Sequence, residues 1–150
     1  MSQHLPTNRS ETPVSTQASA AIDRLRMPPL IMHQSVAAYQ IIMSLRLVAV
    51  CSRTNHDALP HLAQRFASVT AAKAVIEFAD QVGLSWPENV QVMRPCCGAL
   101  THDEFTVGLL TDAAVAGRRD IFSSILEGLV RPGQYDLLFE RAKAAVAQLP

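Results

Sequence analysis

A chain of 150 residues with 13 Lys and Arg against 13 Asp and Glu has the length of one ordinary domain and no formal net charge. Chains of that size bury roughly 68–70% of their extended surface, so a real core is available. The neutral balance disfavours an electrostatic nucleic-acid binder, and 49% hydrophobic residues exclude a solvated, unfolded chain.

Residues 1–29 are rich in Ser, Thr, Gln and Pro, with Pro6, Pro13 and the pair Pro28-Pro29. They offer too little apolar surface to offset their ordering entropy, which predicts a disordered tail. Within it, Ala18 to Leu25 reads as a short transient helix with Ile22 and Leu25 on one side; a docking segment is the alternative role. There is no apolar signal-peptide core. The three cysteines, Cys51, Cys96 and Cys97, are an odd set with no secreted disulfide framework, which fits a cytoplasmic protein with reduced thiols.

Residues 30–150 read as one all-α domain of five to six helices, interrupted by one irregular loop at about 84–100. From Leu30 the spacing turns helical: Val36, Tyr39, Ile42 or Met43, Arg46 or Leu47, and Val50 recur every three or four positions, predicting one long helix that ends near Ser52. His33, Gln34, Gln40 and Arg46 make this stretch costly in lipid, so it reads as amphipathic and not membrane-spanning. Asn55 or Asp57 caps a short second helix with Pro60 in its first turn. Ser68 or Thr70 caps a third, and Gly83 supplies its stop. Trp86-Pro87 then breaks the chain, Val90 and Val92 alternate as in a short extended piece, and Arg94-Pro95-Cys96-Cys97-Gly98 makes a turn.

Thr101-His102-Asp103-Glu104 has the form of a capping box and opens a fourth helix through Phe105, Leu109 and Ala113 to Gly117. Asp120 caps a fifth that buries Phe122, Ile125, Leu126 and Leu129. The sixth runs from Gln134 to about Leu149 with Leu138, Ala142 and Ala145 inward.

The adjacent Cys96 and Cys97 are the most unusual local feature. With His102 five residues beyond Cys97 they could form a zinc or iron site or a redox thiol pair, and His56, His61 and Cys51 would complete a ligand set if the fold gathered them. Neighbouring Cα atoms sit about 3.8 Å apart, which strains any vicinal disulfide, and adjacent sulfurs tend to diverge from one metal. The simpler reading is two compact side chains filling a bend against the core. Arg94 could lower a thiol pKa or hold a carboxylate, or serve as an ordinary loop arginine. A small enzyme using Arg94 and Asp103 ranks last, because no nucleophile elbow, phosphate loop or zinc-protease motif is present.

The stretch from Arg94-Pro95-Cys96-Cys97 through Leu100-Thr101 and Asp103-Glu104 resembles a group of small helical alphaproteobacterial proteins whose function is unknown. The resemblance extends over roughly residues 34–147, and implies a helical fold and a bacterial cytoplasmic setting. It implies no substrate, cofactor or catalytic residue. The expectation is therefore a non-enzymatic interaction or regulatory protein, with a protein partner or a homodimer formed through the Leu30–Val50 region, unless that helix is simply the central one of the bundle, hydrophobic nearly all round. A thiol-redox or metal-binding protein is the alternative.

Overall fold

A computed structural model describes residues 27–150, which form six α-helices and no strand. The expected tail at 1–29, with its transient helix, lies almost wholly outside the described residues. The helices are α1 (Val36–Arg53), α2 (Leu59–Phe66), α3 (Val69–Ser85), α4 (His102–Val115), α5 (Arg119–Leu126) and α6 (Tyr135–Gln148). An all-α bundle with one irregular loop is thus what the chain adopts.

Local chemistry explains most of the boundaries. Ser35 caps α1, its hydroxyl accepting from the backbone N–H of Ala38, and Ser68 caps α3 in the same way. Asp57 accepts from the N–H of Leu59, and Pro60 occupies the first turn of α2, where its missing N–H is not needed. Thr101 and Glu104 form the reciprocal capping box of α4. Gly117, at φ +65°, turns the chain out of α4.

Three expectations require correction. The long first helix does not begin at Leu30: Ile31–His33 is one 3-10 turn, because Leu30 is bridged to Ala99 and Ser35 restarts the backbone. Gly83 does not stop α3, which continues to Ser85 and ends where Trp86, extended ahead of Pro87, leaves the helical region. Asp120 lies in the first turn of α5 instead of capping it; its carboxylate is paired with Arg118, the residue in the cap position. As expected, Val90 and Val92 join no ladder; the sole β-bridge among the described residues is Leu30–Ala99.

The core is one continuous cluster. Val75, Phe78 and Val82 of α3 meet Leu138, Ala142 and Ala145 of α6, and Leu110 of α4 with Phe122 and Leu126 of α5 close the other side. Phe122 and Phe139 pack edge to face, with centroids 5.1 Å apart, the arrangement the ring quadrupoles favour. Helix α1 packs chiefly on α4 and more lightly on α3, so it lies at the edge of the bundle.

Candidate functional site: the Arg94–Cys97 turn and the outer face of α1

Between α3 and α4 the chain runs without regular structure over 86–101, and one buried side chain organises it. Arg46, from the middle of α1, donates through Nε to Glu104 Oε1 at 2.6 Å and through Nη2 to Glu104 Oε2 at 3.0 Å. Its remaining donors reach the carbonyls of Arg94 (3.2 Å), Cys97 (2.6 Å) and Ala99 (2.9 Å). All five guanidinium N–H groups are therefore used, the full capacity of the fork. Glu104 is equally occupied, accepting also from the N–H of Met93 and of Thr101. Both side chains are wholly buried. The capping glutamate of α4 is thus also the counterion of α1.

That pair fixes the cysteine turn from behind. The Cys97 N–H donates to the Arg94 carbonyl at 3.0 Å, closing a β-turn, and both of that turn's end carbonyls are held by Arg46. Cys96 is exposed and Cys97 half-buried, while Cys51 is the buried thiol. Cys96 is therefore not the compact core filler expected of it. Alkylation by iodoacetamide should proceed in the order Cys96, Cys97, Cys51, with Cys51 modified only as the protein unfolds. Early modification of Cys51, followed by peptide mass analysis, would contradict this burial.

The candidate ligands do not converge. Among the described residues no three His, Cys, Asp or Glu side chains are grouped as a metal would need. His102 and His61 are exposed, and His56 is exposed with Nδ1 3.0 Å from the Thr54 hydroxyl. Arg94 contributes its carbonyl to the site while its side chain is exposed. Asp103 is committed to structure, accepting from the indole N–H of Trp86 at 3.1 Å and the N–H of Gln91 at 2.8 Å. The Arg118 guanidinium holds the exposed Asp120 carboxyl at about 2, a solvated corner pair distant from the turn in sequence.

The second feature is helix α1 itself. Ala38 and Ile42 approach Gly108 of α4, and Leu45, Val48, Ala49 and Ser52 line a groove of about 290 Å³ with Ala79 and Val82 of α3. The opposite side carries Val36, Tyr39, Met43, Leu47 and Val50 at helical spacing, with Val36 74% and Tyr39 40% exposed, Met43 and Val50 half-buried, and Leu47 half-buried against the core. The only charge between Val36 and Ser52 is Arg46, which is turned into the buried pair, so this face has no charged side chain. By length and composition Val36–Arg53 would also pass as a membrane span, at a mean hydropathy of 1.3.

Sequence spacing identified the capping box and, with Ile42 and Arg46 as alternative members that the fold buries, the apolar stripe only in part. It missed Arg46 as the anchor, although a lone charge inside a 17-residue uncharged run was the available signal. No family model, curated protein or solved structure matches the chain.

Proposed function

We propose that the protein is a non-enzymatic interaction protein that docks another protein along the outer face of α1. The observation that carries this reading is the exposed pair Val36 and Tyr39, continued by the half-buried Met43 and Val50, on an uncharged face of a helix at the edge of the bundle. Solvated helix faces ordinarily carry charge, and an apolar face rimmed by polar residues marks a contact surface. Near the cysteine turn Arg46, Glu104 and Asp103 are engaged in holding the loop. The cytoplasmic setting that fits the odd cysteine set, and the bacterial one implied by resemblance to small helical alphaproteobacterial proteins, belong to the same proposal. A bilayer is the weaker partner for this helix, because Arg46 has its counterion within the protein.

The test is a photo-crosslinking residue at position 39 of the full-length chain, used in native cell extract. One heterologous protein should be captured, and Val36→Glu should abolish its capture while leaving the circular dichroism unchanged. Capture no greater than that of the same residue placed at exposed position 140 overturns the reading.

A further inference from the structure

We infer that the groove between α1 and α3 is a binding site for a small uncharged molecule: an apolar body about the size of naphthalene, carrying one hydroxyl or amide group. The groove lies across α1 from the docking row, and the inference stands independently of that reading.

Three observations carry it. The first is that the groove is propped open. Helices α1 and α3 touch only lightly, and the chain at 89–92 spans the gap between them. Val90 and Val92 both line the groove, half-buried against the core, although neither pairs with a strand. Gln91, between them, is fixed at both of its backbone groups. Its N–H donates to Asp103 Oδ2 at 2.8 Å, and its carbonyl accepts from the Thr101 hydroxyl at 2.6 Å. The start of α4 thus holds this wall from outside, so the loop does not collapse into the space. A site formed in advance binds without the cost of ordering its walls.

The second is Gly83. Glycine is the poorest helix former except proline, and nothing local demands it at this place in α3. Its φ is not in the left-handed range, and a Cβ built on it would meet nothing within 4 Å. Ala79, one turn earlier on the same face, lines the groove with it. A side chain at 83 would lean back toward 79, across the opening. What the glycine preserves is space.

The third is the match of size and charge. The groove holds about 290 Å³. That is roughly twice the volume, about 150 Å³, of an apolar cavity that takes benzene, and it falls at the small end of ligand sites. A nucleotide-sized cofactor does not fit, and neither does a peptide helix, one turn of which fills about 420 Å³. Leu45, Val48 and Val82 make the body of the lining apolar, and no described residue that lines it is charged. An ionised ligand would surrender its hydration for no counterion. Ser52 and Asn89 are exposed at the mouth, and offer a hydroxyl and an amide to one polar group.

The probe is 2-naphthol, uncharged at neutral pH and about 11 non-hydrogen atoms in size, titrated into the full-length protein and followed by amide NMR. The expected dissociation constant is on the order of 100 µM, with saturable shifts at Gly83, Val90 and Val92. Gly83→Leu places a side chain in the space and should weaken binding by about tenfold or more. Its thermal midpoint should equal or exceed the parent's, because leucine is the better helix former. Gly83→Ala adds one methyl group, and should raise the midpoint while keeping most of the affinity. The carboxylate analogue 2-naphthoate has the same rings, and should bind about tenfold more weakly or worse. No saturable shift, shifts confined to another surface, naphthoate binding as tightly as naphthol, or a Gly83→Leu protein that unfolds or still binds like its parent: each of these results overturns the inference.

Discussion

Arg46→Met and Glu104→Gln should each destabilise the protein by about 3–5 kcal/mol, the cost of leaving one buried charge without its partner. The argument starts from burial: neither side chain has exposed surface, and no buried side-chain polar atom among the described residues lacks a hydrogen bond. Removing the guanidinium strips Glu104 of two donors and leaves the carbonyls of Arg94, Cys97 and Ala99 without theirs. Neutralising Glu104 leaves a cation facing carbonyls alone. In a domain of this size the loss corresponds to a fall in midpoint of roughly 10 °C or more, readable by thermal denaturation. Combining the two substitutions should cost less than their sum, by about 0.5–3 kcal/mol, because the second removes a charge the first had orphaned. Hydrogen exchange gives an independent readout at the amides of Met93 and Thr101, both of which donate to Glu104. Wild-type midpoints for both single variants would show that the loop is not anchored by this pair.

The same pair shows what a single sequence displays and what it conceals. Glu104 is three residues from Thr101, so its capping role follows from local spacing alone. Its second partner lies 58 residues away, and no periodicity links the two positions. The exposed cysteines are a consequence of that hidden contact. Once Arg46 takes the carbonyls of the turn, the backbone faces inward and Cys96 faces water. A pair of small soft residues beside a proline reads as filler only while the direction of the turn is unknown. Helix ends were legible where a side chain enforces them, as at Ser68 and Thr101, whereas the cap at Ser35 went unread. They were misplaced where composition alone spoke: Gly83 adopts ordinary helical geometry and is exposed, and the real stop is the steric demand of Pro87 on Trp86. The outer row of α1 was visible as apolar spacing. Which side of the helix faces its neighbours is settled only by Gly108 and by the direction of Arg46.

Gly108 decides how closely α1 and α4 approach, and a graded series there should separate volume from helix propensity. A methyl group at Gly108 would meet the Gln34 side-chain oxygen at 2.8 Å, Cδ1 of Ile42 at 3.3 Å and Cβ of Ala38 at 3.7 Å. The closest of these is the free end of a flexible, half-buried side chain, which can swing aside at small cost. Alanine also gains about 1 kcal/mol over glycine inside a helix. Gly108→Ala should therefore stay within about 1 kcal/mol of the parent. Leucine has no such escape, because Ala38 and Ile42 are buried on α1 and cannot retreat without moving the helix. Overpacking of this kind costs about 1–3 kcal/mol, and here it also lies on the seam that carries the Arg46–Glu104 pair. Separating α1 from α4 would lengthen those 2.6 and 3.0 Å contacts, so Gly108→Leu should also accelerate exchange at Met93 and Thr101. Urea denaturation of the three proteins measures the first effect and amide exchange the second. Equal stability of the leucine variant and the parent would mean that the two helices are not in van der Waals contact at this point.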